Sequence, residues 1–155
     1  MARRTLEFQS LSEAAAEVRQ LQQLGCEPQG GWTFGQICRH LAEFLQASMH
    51  GFPPVPEWEQ YRELGPKFLV RVLEGKQMRT GFPLPEAHQP PQDTAADDWS
   101  DRLCQLLAEA EHFQGPPPPH PVFGPMSLDQ WRRLQYVHLA HHLSFLCPQE
   151  GSSAS

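Results

Sequence analysis

The sequence predicts an all-α fold, a four-helix bundle with long proline-rich crossover loops, on three observations. Helix-start signatures of the Ser/Thr-x-x-Glu/Gln kind occur at three places. Fourteen of the sixteen prolines fall between Pro53 and Pro125, largely in clusters that separate the remaining stretches. Within those stretches the apolar residues recur at three-and-four spacing, one face of a helix. The chain's 155 residues, 39% of them hydrophobic, fall near the usual size of one domain. Residues 1–148 are therefore expected to form a single helical domain. The Gly151-Ser-Ser-Ala-Ser155 end makes 149–155 a flexible tail.

The elements follow in order. Ser10 with Glu13 opens a helix that Gly25 stops after Leu24. Thr33 with Gln36 opens a second, running to about Met49 and closed by His50-Gly51 ahead of Phe52-Pro53. Pro66 to Gly75 reads as a short helix, although its β-branched middle also suits a strand. Thr94 to Phe113 carries Leu103, Leu106, Leu107, Ala110 and Phe113 at helical spacing, with Asp97, Asp98 and Asp101 near its positive end. Ser127 with Gln130 opens the last helix, expected to reach Phe145 or Leu146 and to be halted by Pro148. Between these, 75–93 and 115–125 read as loops stiffened by polyproline II, long enough to carry function.

Charge and composition narrow the partners. A formal net charge of -6 gives no electrostatic reason to expect nucleic acid or an anionic membrane. No run approaches the roughly 18 apolar residues of a membrane span. The basic Met1-Ala-Arg-Arg4 is followed by Thr5-Leu-Glu-Phe-Gln9 with no apolar segment, so it does not read as a signal peptide. Cys26, Cys38, Cys104 and Cys147 form no C-x-x-C pair and read as reduced, mostly buried thiols. A soluble, cytoplasmic protein is expected.

Histidine carries the chemistry. In the last helix the stripe Leu128, Trp131, Leu134, His138, His141 or His142, Phe145 turns imidazoles toward the core. Residues four apart lie about 40° apart around a helix, so His138 and His142 can converge on one ion; His138 and His141, three apart, also can. The second helix has its stripe at Ile37, His40, Leu41, Phe44, Leu45 and Ser48, which makes a third imidazole, His40, available. Three histidine nitrogens leave positions open for water or substrate, the pattern of a catalytic metal. Cys38, about 200° from His40, faces away and makes a poor fourth ligand. A lone inward histidine is ordinarily a satisfied core residue, and it is the i, i+4 pair on an apolar stripe that raises the metal reading. His120 could line the mouth of a site, a solvated loop position being its ordinary reading. Glu43 reads as a surface carboxylate one turn from His40, and Trp32, Trp99 and Trp131, each near a helix start, read as packing anchors.

Three ordered motifs carry a resemblance: Trp32-Thr-Phe-Gly-Gln-Ile-Cys-Arg-His-Leu-Ala-Glu43, His120-Pro-Val-Phe-Gly-Pro125, and Trp131 through His138-Leu-Ala-His-His-Leu-Ser-Phe-Leu146. From about Leu6 to Pro148 the chain resembles a branch of the DinB-like superfamily that is a domain of unknown function. The resemblance implies a four-helix bundle, often dimeric, holding a metal on His40, His138 and His142, with His141 packing beside them. Wider relatives include metal-dependent transferases that act with low-molecular-weight thiols. Where the commoner ending places Arg-Gly-Gln after the second histidine of the pair, this chain has Leu143-Ser-Phe-Leu146. The expectation is a metal-dependent enzyme, a thiol transferase or hydrolase acting on a small molecule. Zinc is the default divalent ion and nickel, iron or copper also suit imidazole. The competing expectation is a non-catalytic helical binding or dimerisation module.

Overall fold

The computed structural model describes residues 3–78 and 84–149. Apart from Gln149, the expected tail lies outside the described residues, as does 79–83 of the first long loop. The described chain is mostly helical: α1 (Leu11–Leu24), α2 (Phe34–His50), α3 (Gly65–Gly75), α4 (Ala96–Glu111) and α5 (Leu128–Leu143). Short 3-10 turns occupy Pro56–Tyr61 and Glu86–His88. No helix among the described residues is long and apolar enough to cross a membrane.

The helix starts form as their sequences dictate. Thr33 and Ser127 each accept a hydrogen bond from the backbone N–H three residues on, and the side-chain oxygens of Gln36 and Gln130 accept one from the cap residue's own N–H. Ser10 likewise accepts from Glu13 N–H, but the Glu13 carboxylate reaches back to the N–H of Gln9 instead. The Pro66 segment is helical despite Val70 and Val72, with Pro66 in its first turn where no intrahelical donor is needed.

The principal core is built from α1, α2, α4 and α5, with Leu21, Leu41, Leu45, Leu103, Leu107 and Leu139 almost wholly buried. Trp131 is fully buried and donates its Nε1–H to the Ser48 carbonyl at 3.2 Å, tying α5 to α2. A smaller core lies on the other side of α5, where Leu69 and Leu73 of α3 meet Val122, Phe123, Met126 and Leu134.

Two features correct the sequence reading. The last helix stops at Leu143 rather than at Phe145 or Leu146. Its continuation, Leu146–Pro148 (β2), pairs antiparallel with Cys26–Pro28 (β1) in the α1–α2 connection, Leu146 opposite Pro28. Strands of three residues are too short to show a period, whereas the run of apolar residues through Leu146 extends the helical pattern. The second long loop also holds an ordered turn: His120 and Gly124 exchange both backbone hydrogen bonds at 3.0 Å.

This turn packs so closely on the start of α3 that a Cβ at Gly65 would collide with the carbonyl oxygen of Val122. Gly65→Ala is therefore expected to lower stability by about 1–3 kcal/mol, the usual range for overpacking. Urea unfolding followed by circular dichroism measures it. A neutral substitution would show that this contact can relax freely.

Candidate metal centre

His40 projects from the middle of α2, and His138 and His142 from successive turns of α5, so the pairing of these two helices decides whether the imidazoles meet. They do. One ring nitrogen of each lies within 4.8 Å of the others, close enough to hold a metal ion. His40 Nε2 and His138 Nε2 are 3.3 Å apart, the separation expected of two nitrogens bound at about 2.0–2.1 Å to one tetrahedral ion. Ring centroids are 4.5 Å apart for His40 and His142 and 4.7 Å for His138 and His142. Phe44 packs on His138 at 4.1 Å between centroids. Trp32 covers the other side, 5.1 Å from His40 and stacked 13° from parallel on His142 at 6.0 Å.

The electrostatics favour neutral rings. Burial pulls His40 down to about 4, and the nearby His141 adds to this. His138 and His142 lie well below the ordinary value, first because they are buried and then because each faces other imidazoles. A neutral imidazole offers a lone pair, the form a metal requires. The donor set therefore fits a divalent ion of the zinc type. In the apoprotein a single N–H shared between His40 and His138 accounts for their contact equally well.

The histidines that the sequence left open resolve differently. His141 packs edge-on against His142 at 4.9 Å between centroids but belongs to another set of contacts: Arg3 donates to its Nδ1 at 2.9 Å, and its ring also stands edge-on to Phe145. It titrates at about 4, lowered by burial and by Arg3, against a hydrogen bond to the Met78 backbone that raises it. His120 is neither solvated nor a member of the trio. Its Nδ1 accepts from the backbone N–H of both Val122 and Phe123, at 2.9 and 3.1 Å, and it is buried among Phe44, Phe52, Trp58 and Phe123. That geometry assigns its proton to Nε2 and its role to the 120–124 turn. Glu43 is exposed and paired with Arg39 at 3.1 Å. Cys38 is wholly buried away from the site, its thiol pushed up mainly by burial. All four cysteines are thiols, three of them buried.

Two neighbours escaped the sequence reading. Trp32 lies against two of the three imidazoles, beyond the packing role expected of it. Gln135 is fully buried three positions before His138, and its amide nitrogen has no hydrogen-bond partner among the described residues. Neither a tryptophan near a helix start nor a glutamine inside an apolar stripe signals this from sequence.

Beside the trio lies a cavity of about 300 Å³, lined by His142, Trp32, Ile37, Phe145 and two glycines. His141 lines it too and also faces a separate cavity of about 510 Å³ carrying Arg3, Arg4 and Lys76.

A mostly helical chain with a cluster of three histidines, His138 buried and His40 and His142 half-buried, is thus the class that fold and site define. Residues 1–149 match the family model described as "Protein of unknown function (DUF1569)", and the chain belongs to that family. No curated protein and no solved structure matches it.

Buried neutral histidines make acid the natural denaturant. His120, pulled down by burial to about 3, and His40, at about 4, take up protons near 6.5 once unfolded. Their contribution is fully present above about pH 6.5 and is lost as pH falls toward the folded values, by about 1.4 kcal/mol per pH unit for each histidine. Urea unfolding in the presence of chelator should show stability falling from pH 7 to 4.5. The fall should be shallower in His120→Asn, whose amide oxygen can still accept from the turn. An unchanged slope in that variant would contradict the assignment of His120.

Proposed function

We propose that the protein is a metal-dependent enzyme of the DinB-like type, a single-domain four-helix bundle that holds a divalent ion on His40, His138 and His142. Zinc is the first choice of ion and nickel or iron the next. The observation that carries the reading is the convergence of three uncharged imidazoles, from two helices, beside a cavity. Burying three such rings together costs desolvation that an apolar core would avoid, and a shared ion offsets it.

When bound, a divalent ion lowers the pKa of a thiol or water and polarises an electrophile near neutral pH. The chain's own residues supply the rest. His40 and His138 fix two donors, Phe44 and Trp32 limit water at the rings, and His142 presents its donor at the cavity. The substrate is a small molecule, as a thiol transferase or hydrolase requires. The net charge of -6 argues against nucleic acid, and a cytoplasmic setting suits cysteines kept as thiols.

A second reading, a non-catalytic module that pairs with a second copy, draws on Leu64, at the N-cap of α3, and Val70 within it, two large apolar residues left exposed. The readings separate on a cobalt-loaded protein. Perturbation of the cobalt spectrum by added thiols supports the enzyme, and indifference to every thiol and small anion supports the module.

The metal set is tested on protein purified without a polyhistidine tag. His40→Ala, His138→Ala and His142→Ala should each weaken metal binding by more than the roughly 10- to 100-fold that loss of a merely supporting partner costs. His50→Ala, at an exposed histidine paired with Glu109, should leave it unchanged. Metal content by elemental analysis and competition with a chromophoric chelator reads both. Undiminished metal in His138→Ala would overturn the site.

A further inference from the structure

We infer that the cavity beside His142 selects the organic part of the substrate: a compact apolar group, aliphatic or aromatic, attached to the atom that binds the metal. The inference rests on the metal reading above and adds the substrate class.

Three observations support it. The first is continuity: His142 belongs both to the imidazole trio and to the cavity wall, so a molecule whose donor reaches the trio from this side has its remainder in the cavity. The second is the chemistry of the wall. Apart from the two histidines, its side chains are Trp32, Ile37 and Phe145, with no carboxylate, amide or hydroxyl among them. A polar substituent placed there would lose water and gain no partner, whereas an apolar one is favoured in proportion to the area it buries. The third is size. About 300 Å³ is at the lower end of small-molecule pockets, which admits a ring or a short branched chain rather than a peptide or cofactor.

The glycines complete the shape. Gly30 lies so that a Cβ would touch the Phe145 ring at 3.4 Å, while a Cβ at Gly31 would meet nothing within 4 Å. Space at Gly31, which lines the cavity, is therefore open. The parallel planes of Trp32 and His142 give the cavity a flat flank suited to an aromatic ring. Charge is kept out of it: the Arg3 guanidinium lies over the Phe145 ring at 4.1 Å and is bound to Ser144 and His141, on the far side of the wall.

The test uses cobalt-loaded protein and two monothiols of similar acidity, benzyl mercaptan and 2-mercaptoethanol, with the sulfur-to-cobalt charge-transfer band as readout. The wild type should bind benzyl mercaptan about tenfold more tightly, the gain expected for partial burial of one ring. Gly31→Leu, whose Cβ meets nothing within 4 Å and whose side chain adds bulk at the cavity lining, should abolish that preference while leaving cobalt content and the affinity for 2-mercaptoethanol unchanged. Trp32→Ala, which removes the flat flank, should lower the preference as well. Equal affinities in the wild type, or a preference that survives Gly31→Leu, would overturn the inference with the metal reading intact. A wild type that takes up no cobalt would instead refute the metal reading, and the inference with it.

Discussion

The position of His142 depends on how the last turn of α5 is held, and much of the molecule serves that end. The helix finishes one residue after His142. A free helix end would fray and carry the imidazole with it. Three constraints oppose this. The chain reverses into β2 and pairs with β1, with further backbone bonds from Gln29 N–H to Phe145 O at 2.7 Å and from Gln149 N–H to Gly25 O at 3.0 Å. The N-terminal segment closes over the same end: Arg4 N–H donates to Ser144 O at 3.0 Å, and the guanidinium groups of Arg3 and Arg4 reach the carbonyls of His141 and Leu143. Cations there also complement the negative end of the helix dipole.

The same strand pair explains why Trp32 belongs to the site. It anchors the α1–α2 connection beside α5, and the residues that follow β1 are the two glycines and Trp32 that flank His142. Below, the bond from Trp131 to Ser48 fixes α2 against α5 near the opposite end of the contact. The helix pair is thus pinned at two levels with the imidazoles between them. Pre-organisation of this kind would let a metal bind without ordering the chain first.

Much of this was legible in the sequence, for identifiable reasons. Capping boxes at Thr33 and Ser127 announced two helix starts to the residue, because a reciprocal hydrogen-bond pair leaves a fixed three-residue signature. The inward direction of His40 and His138 followed from their place on apolar stripes, which left His141 and His142 open until the family resemblance pointed to His142. What was not legible depends on contacts between distant segments. The hold of Arg3 on His141, across 138 residues, is one such contact. The burial of His120 turns on a bridge between two residues of a proline-rich loop. The strands of three residues exist only because each finds the other, and Trp32 acquires its place through them.

Metal coordination links these features, since it is what would make the fixed end of α5, the pinned α2 and the neutral rings parts of one site. X-ray absorption of the zinc-loaded protein tests it most directly by counting imidazole ligands around the ion. Coordination by His40, His138 and His142 predicts three nitrogen-bound imidazole rings at about 2.0–2.1 Å with the remaining position held by a light, non-imidazole donor. A shell of oxygens with one imidazole or none would contradict it.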